Sequence, residues 1–275
     1  MSRLAQSVRP SFHVHKQFAQ QYDAFVRLSP LYRNLVEALL ERIHITKGDR
    51  VLCLASGTGL DARAASEAGA AAVFGLDSSS SMVAVAREAS DVGANVHFVQ
   101  ADAAVIPFPN EHFDRVLINA AGNYLWDNLY PLFAEVQRVL KPQGLFAFNC
   151  QSDEIEQMHS DDPQRQLRRL VYLHGWMSGF RVRLSAKPSV AFISQVAQAT
   201  GLTLLESTSL RIPTTTEDAL QQLRLPQFHE PFLGSVPEDK RDALLLNAAN
   251  MLQLKEVMAD NYRSWHFFVF KKQEG

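Results

Sequence analysis

An apolar run that stops at small residues constrains the fold of this 275-residue chain more than any other feature. The run Val51–Leu54 leads into residues 55–59, Ala-Ser-Gly-Thr-Gly. A helical pattern follows, and a second apolar run at 72–76 ends on Asp77. This order predicts a strand, a tight turn, a helix and a second strand. In nucleotide-binding α/β sheets, small residues let the turn approach the ligand and the acid accepts the ribose hydroxyls. The stretch therefore predicts a site for an adenosine-containing ligand.

Strands and helices then alternate. Gly69 would end the first helix, a serine run would cap the second, and residues 141–144, Lys-Pro-Gln-Gly, are typical of a turn. The alternation predicts a parallel sheet covered on both faces. We expect strands at 50–55, 72–76, 96–100, 115–119 and 145–149, with helices at 60–68, 80–89 and 128–140.

Further elements flank this stretch. Helical spacing predicts two early helices at 13–28 and 31–43, and later a helix at 189–200, a strand at 202–211, a mostly helical segment at 213–262 and a last strand at 265–270. A late strand after a long insert suggests that the insert is a cap over the carboxyl edge of the sheet, where ligands bind in open α/β sheets.

The pattern as a whole predicts an α/β fold, with a doubly wound, mostly parallel, seven-stranded Rossmann-like sheet and a helical cap insert. We divide the chain into four parts: an N-terminal helical lid (1–45), a ligand-binding core (46–151), a cap or substrate region (152–190 and 212–263), and the remaining core helix and strands (191–211 and 264–275).

Composition restricts partners and location. The 27 basic and 29 acidic residues give a net charge of -2, which disfavours nucleic acid as the main partner. Cys53 and Cys150 lie in apolar strand-like runs, so we expect buried free thiols in a reducing cytoplasm. No apolar run is long enough to span a bilayer, and residues 1–10 lack the apolar core of a secretion signal. We expect a cytoplasmic protein without a membrane partner, and the sequence leaves its oligomeric state open.

Five segments, in order, resemble the class I S-adenosylmethionine-dependent methyltransferases, particularly their small-molecule branch. They are the glycine-rich motif 51–59, the ribose motif 75–82, the adenine segment 98–108, the opening of the fourth strand at 113–116, and the helix and turn at 135–144. The resemblance implies S-adenosylmethionine as the cofactor. It also implies in-line methyl transfer to an oxygen, nitrogen or carbon atom of a small molecule.

The resemblance also implies the residues that bind the cofactor. The loop residues would lie against the methionine part, and the two acids would hold the ribose and the adenine amino group, with an adjacent backbone amide serving a ring nitrogen. A methionine would pack on the adenine, and an asparagine would lie near the sulfonium. The residues concerned are Ala55, Ser56, Gly57, Gly59, Asp77, Ser78, Met82, Asp102, Ala103 and Asn119.

Other interpretations of these residues stay open. Asp77 could simply cap the next helix, Met82 could be a core residue, and Asn119 could cap a loop. The chain also departs from the family, which commonly has an acid where Cys53 stands and a glycine where Ala55 stands. We expect a weaker water-mediated hold on the methionine ammonium, and a tolerable Ala55 provided that its φ is negative. A nicotinamide ligand is less favoured because the loop is not G-x-G-x-x-G.

Three residues are candidates for the catalytic site: Tyr22, Asn119 and His174. The segment around Tyr22 resembles the helix that folds over the cofactor in this family, so the tyrosine would close over the sulfonium or orient the acceptor, and it would also bind the cofactor. Alternatively, Tyr22 packs with Phe18 and Phe25. His174 would line an aromatic acceptor pocket or pack in the lid. No cluster has metal-ligand spacing, so we expect no metal.

The cap has an uneven charge distribution. Residues 163–205 contain no Asp or Glu but contain six basic residues: Arg165, Arg168, Arg169, Arg181, Arg183 and Lys187. They form either a solvated basic face or a site for an anionic group on the acceptor. They are also the only support for an RNA substrate.

Two other functions remain open. A methyltransferase-like enzyme can use S-adenosylmethionine without transferring the methyl group, for example by cyclising the aminobutyryl arm and releasing methylthioadenosine. The third possibility is a non-catalytic adenosine sensor or partner subunit.

Overall fold

A computed structural model describes residues 15–89, 94–121, 125, 128–151, 167, 170–171, 189–225, 228, 233, 236–253 and 262–273. Seven strands form one sheet in the order β3-β2-β1-β4-β5-β7-β6. All pairs from β3 to β5 are parallel, whereas β7 runs antiparallel between β5 and β6. The sheet is therefore mostly parallel and seven-stranded, as the sequence predicted. Its strands are β1 Arg50–Leu54, β2 Ala72–Asp77, β3 Val96–Gln100, β4 Phe113–Ile118, β5 Leu140–Cys150, β6 Leu202–Pro213 and β7 Tyr262–Lys272.

Helices cover both faces of this sheet. Along β1, Leu52 and Leu54 belong to one core cluster, which α5 and α6 complete, whereas Val51 and Cys53 belong to a second cluster with α2, α3 and α4. This alternation explains why the strand is apolar throughout. The helices are α1 Lys16–Leu28, α2 Pro30–Ile43, α3 Leu60–Glu67, α4 Ser80–Glu88, α5 Leu129–Val139, α6 Val190–Ala199, α7 Thr216–Arg224 and α8 Glu238–Gln253.

The cap region contributes a separate core. Apolar residues of α7 and α8 pack with Leu167 and Val171 in a third cluster. Helical structure within 213–262 is therefore confirmed for the described part. The division of the chain into lid, core and cap stays a prediction.

The turn predicted at 141–144 falls within β5, which already begins at Leu140. The pairing of β4 with β5 shifts register between Phe113 and Arg115, and Gln143 has a φ of 67°. The four residues thus form an irregularity inside the strand rather than a turn before it. Sequence alone does not separate the two, because both use the same residue types. Cys53 and Cys150 are free and buried, as predicted.

Two glycines make room for one aromatic ring. A Cβ atom on Gly59 would lie 2.5 Å from Cζ of Phe98, and one on Gly75 would lie 2.5 Å from Cδ1 of the same ring. Gly59 also has a φ of 90°, and it precedes α3. Close packing of β3 against the loop after β1 therefore depends on Gly59. Gly69 has a similar φ of 100°, but no atom lies within 4 Å of its missing Cβ.

These two glycines separate backbone strain from steric overlap. We expect Gly69→Ala to lower the free energy of unfolding by about 1–2 kcal/mol, the cost of a left-handed residue. Gly59→Ala should cost roughly 2–5 kcal/mol, because overpacking adds about 1–3 kcal/mol. Urea unfolding of both variants measures the difference. Equal losses would show that Phe98 gives way without cost.

Candidate functional site

The carboxyl ends of β1, β2 and β4 meet beside a pocket of about 300 Å³, including space open to solvent. The loop after β1, the start of α3, the end of β4 and the helices α1 and α2 enclose it. We call it the loop pocket. Its lining includes five residues that the sequence predicted, together with five others: Tyr22, Ala55, Ser56, Gly57 and Asn119, then Val26, Tyr32, Thr58, Leu60 and Asp61.

Asp77 fixes the backbone of the glycine loop. Its Oδ2 accepts a hydrogen bond from the Gly57 amide at 2.8 Å, and its Oδ1 accepts one from the Ser79 amide at 2.9 Å. Ser79 in turn caps α4, because its Oγ accepts from the Met82 amide. Burial raises the pKa of Asp77, against these two hydrogen bonds. Each carboxylate oxygen can still accept a second hydrogen bond, so Asp77 can hold the loop and bind a ligand at the same time.

Ala55 lies in the left-handed region. Its φ is 50°, so the expectation of a negative φ at this position is wrong. An alanine pays a steric cost there that glycine avoids. The tight turn at the end of β1 imposes this conformation, and a single sequence does not reveal it.

The predicted adenine-side residues follow the neighbouring strands. Asp102 is the second residue after β3, and its Oδ1 accepts from the Ala104 amide. Ala103 is buried in the first core cluster, and the Ser78 carbonyl accepts from Gln100 Nε2. Met82 is buried with Ala19 of α1, so its core interpretation is compatible with the structure. His174 and the six basic cap residues lie outside the described residues.

Asn119 belongs to a buried polar chain at the end of β4. Its Nδ2 donates to Oδ1 of Asp61 at 2.9 Å, and its Oδ1 accepts from Nδ2 of Asn149 at 2.7 Å. Asn149 completes this series of hydrogen bonds, because its Oδ1 accepts from the Ala120 amide at 2.7 Å. Because Asn149 donates to Asn119, the amide of Asn119 has one orientation and must donate to Asp61. The side chain thus does more than cap a loop.

Asp61 is the residue that sequence reasoning missed. An acid in the first turn of a helix is ordinarily a solvent-exposed partner of the helix dipole. Here it is 6% exposed, and burial raises its pKa from 3.8 to about 6, against the Asn119 hydrogen bond and the charge of Arg63. The only sequence signal is its place two residues after the glycine loop.

The raised pKa of Asp61 makes a prediction about stability. The unfolded chain loses this proton near pH 3.8 and the folded chain near pH 6. The ionised acid therefore begins to destabilise the fold near pH 4, and the destabilisation is complete above about pH 6. The difference between these two pKa values corresponds to roughly 3 kcal/mol. Asp61→Asn keeps an acceptor for Asn119 but has no charge, so it should raise the free energy of unfolding at pH 7.5.

Urea unfolding of Asp61→Asn at pH 7.5 and pH 4.5 measures this. The gain should be about 1–3 kcal/mol at pH 7.5 and should fall to roughly a third of that at pH 4.5. The exposed Glu67 lies at the other end of α3, so Glu67→Gln serves as the control and should change little at either pH. A gain of the same size at both pH values would contradict the assignment.

Two residues that line the loop pocket carry hydroxyl groups without a hydrogen-bond partner among the described residues. These groups are Oγ of Ser56 and Oγ1 of Thr58, and both atoms are buried. A buried polar group without a partner costs about 1–3 kcal/mol. Such groups are most often completed by a water molecule or a ligand.

The helices over the pocket are tied to the rest of the protein. Tyr22 lies over the loop, because a Cβ on Gly57 would be 3.4 Å from its ring. A hydrogen bond joins the side chains of Tyr22 and Tyr32, and Tyr32 also accepts from Gln222 of α7 at 2.8 Å. Burial raises the pKa of Tyr32 to about 12, so its hydroxyl is neutral. Tyr22 also stacks on Phe228, with ring centroids 6.3 Å apart.

A family model described as a methyltransferase domain matches residues 51–144. This segment runs from β1 into β5 and contains the glycine loop, Asp77 and Asn119. About a third of the chain therefore matches a methyltransferase domain.

Known proteins agree with this assignment. The chain is 37% identical over 150 residues to the ubiquinone/menaquinone biosynthesis C-methyltransferase UbiE of Ectopseudomonas mendocina (strain ymp), covering 52% of this chain and 57% of that protein. It is 31% identical over 159 residues to a fatty-acid O-methyltransferase of Mycolicibacterium smegmatis, covering 56% of this chain and 57% of that one. The chain thus spans just over half the length of these curated relatives.

A solved structure shares the fold. Phosphoethanolamine N-methyltransferase 2 of Haemonchus contortus, in complex with phosphomonomethylethanolamine and S-adenosylhomocysteine, superposes with a TM-score of 0.59. The two chains are 24% identical, and the match covers 96% of this chain and 59% of that one. This similarity establishes the fold of the methyltransferase domain and its sheet.

The residues of the site fit S-adenosylmethionine, the cofactor that the sequence resemblance implies. Residues with orphaned hydroxyls line the loop pocket, a carboxylate ends β2, and a second carboxylate lies in the pocket wall.

Among the described residues, no group of three or more His, Cys, Asp or Glu could hold a metal ion. No helix in the described part of the chain is long and apolar enough to cross a membrane.

Proposed function

We propose that this protein is an enzyme that transfers a methyl group from S-adenosylmethionine to an oxygen, nitrogen or carbon atom of a small molecule. The observation that carries the proposal is the loop pocket beside Asp77, with its orphaned hydroxyls, inside a methyltransferase domain. A reducing cytoplasm suits the two buried free thiols.

The proposed binding mode follows the order of the strands. Asp102 after β3, Asp77 at the end of β2, the loop after β1 and Asn119 after β4 occupy four neighbouring strand ends. Strands are about 4.8 Å apart, so these ends span roughly 14 Å. That is enough for adenine, ribose, sulfonium and aminobutyryl arm in sequence. Asp102 and the Ala103 amide would serve the adenine, and Asp77 the ribose hydroxyls.

The protein acts in this mechanism mainly by positioning. S-adenosylmethionine supplies an electrophilic methyl group on its sulfonium. Gly57 and Ser56 would hold the reacting end of the ligand, while Tyr22 and Tyr32 cover the loop pocket and exclude water. The hydroxyl of Tyr22, held by Tyr32, would orient the acceptor. The chain needs a general base only if the acceptor must lose a proton to react.

The wall of the loop pocket restricts the acceptor. Val26, Leu60 and the rings of Tyr22 and Tyr32 supply the apolar part of a wall that is otherwise polar. The names of the two curated relatives place their reactions in quinone biosynthesis and on fatty acids, both of which involve molecules with a large apolar part. We propose an acceptor with an apolar part. An anionic group on the acceptor, bound by the basic residues of 163–205, remains a further proposal.

Product analysis tests the proposed reaction. The protein is incubated with S-adenosylmethionine and a metabolite extract, and the adenosine products are followed by mass spectrometry. Accumulation of S-adenosylhomocysteine with a methylated acceptor is the expected result. Methylthioadenosine instead would indicate cyclisation of the arm, which the methyltransferase names of the relatives do not favour.

Asp77 allows a direct test of cofactor binding. We expect Asp77→Asn to weaken binding of S-adenosylmethionine about 10–100-fold, because charge-assisted hydrogen bonds to the ribose contribute roughly 1.5–3 kcal/mol. Isothermal titration calorimetry measures the dissociation constant. Glu67→Gln, on the exposed end of α3, is the control and should bind as the wild type does. Unchanged binding by Asp77→Asn would place the ribose elsewhere.

Tyr22→Phe tests the polar role of the lid. The variant removes the hydrogen bond to Tyr32 but keeps the ring that stacks on Phe18 and Phe228. If the hydroxyl orients the acceptor, kcat should fall about 5–20-fold, a loss of roughly 1–2 kcal/mol. Binding of the cofactor should stay within about twofold. Unchanged turnover would leave Tyr22 with a packing role alone.

A further inference from the structure

Asp61 is the charged residue among the ten described residues that line the loop pocket. Its Oδ1 accepts from Asn119, and the structure describes no hydrogen bond to its Oδ2. The charge of Arg63 acts on Asp61 electrostatically. The guanidinium of Arg63 donates to the Thr58 carbonyl at 2.9 Å and pairs with Asp23 at 3.6 Å. A buried carboxylate with a spare acceptor oxygen is costly unless a cation completes it.

The position of Asp61 shows which part of a ligand would reach it. β1 lies between β2 and β4, so Asp77 and the pair Asp61–Asn119 stand on opposite sides of the β1 loop. With the ribose on Asp77, a ligand that crosses the loop carries its 5′ substituent toward β4. In S-adenosylmethionine that substituent ends in an amino acid, whose amino group is mostly protonated at neutral pH.

We propose that Asp61 binds the ammonium group of the cofactor's aminobutyryl arm and so selects S-adenosyl amino acids over adenosine ligands that lack the arm. The inference rests on the proposed function, because it takes the ribose to lie on Asp77. Asn119 is a positioning residue here. Its amide, fixed by Asn149, holds Oδ1 and leaves Oδ2 for the ligand.

Two ligands that share the adenosine part separate this role from a structural one. S-adenosylhomocysteine carries the amino acid, whereas 5′-methylthioadenosine ends in a methyl group. In calorimetric titrations, Asp61→Asn should bind S-adenosylhomocysteine about 10–100-fold more weakly than the wild type does. It should bind methylthioadenosine within about twofold of the wild type, because asparagine keeps the acceptor for Asn119.

Asp77→Asn is the matched control, because the ribose is common to both ligands. It should weaken both by similar factors. If Asp61→Asn also weakens both equally, or weakens neither, the proposed role of Asp61 is wrong while the cofactor assignment stands. If the wild type binds neither S-adenosylhomocysteine nor S-adenosylmethionine, the proposed function itself fails.

The pH dependence of binding gives an independent readout. The groups around Asp61 are Cys53 on β1, Asn119 after β4, Arg63 on α3, and Tyr22 and Tyr32 on the lid helices. Burial raises the pKa of Cys53 well above its ordinary value and that of Tyr32 to about 12, so neither of these two groups changes charge between pH 5 and pH 7.5.

Wild-type affinity for S-adenosylhomocysteine should therefore fall as the pH drops from 7.5 to 5, as Asp61 takes up its proton. Affinity for methylthioadenosine should fall less over this range, and Asp61→Asn should show the same pH dependence for both ligands, because Asp77 serves the ribose of both. For S-adenosylhomocysteine, a fall in the variant as large as that in the wild type would show that another group titrates, and would overturn the proposal.

Discussion

The hydrogen bond from the Gly57 amide to Asp77 organises the whole carboxyl edge of the sheet. It ties the loop after β1 to the end of β2, and the second oxygen of the same carboxylate holds the start of α4 through Ser79. The loop cannot move away from β2 without breaking this charge-assisted bond. The loop pocket, the end of β4 and the lid over them are all built on the position of this loop.

The site contains polar groups that the fold alone does not need. Asp61 is buried with a raised pKa, and the hydroxyls of Ser56 and Thr58 are without partners among the described residues. Each of these costs stability, whereas the buried pair Asn119 and Asn149 is satisfied. Polar groups without partners that cluster at the carboxyl edge of a sheet are typical of a surface that binds a ligand rather than one that maximises stability.

Sequence reasoning predicted the sheet well because apolar alternation and glycine punctuation are local signals. It predicted β3 to the residue and placed Asp77 at the end of β2. It failed where the outcome depends on contacts between distant segments. The irregularity at Gln143 and the left-handed Ala55 are set by pairing and turn geometry, and the burial of Asp61 is set by Asn119, which is 58 positions away along the chain.

The uncharged Cys53, which stands where the family commonly has an acid, affects the charge of Asp61. A carboxylate at the position of Cys53 would lie inside the core, where burial raises the pKa even of the thiol that is present. Asp61 lies close enough to raise the pKa of that thiol further, and it faces the loop pocket. A neutral Cys53 therefore leaves Asp61 without a second acid beside it, which lowers the cost of keeping Asp61 ionised. The resemblance predicted a weaker hold on the ammonium from the loss of an acid at Cys53. In the proposed binding mode, Asp61 supplies this negative charge eight positions further along the chain, in the first turn of α3.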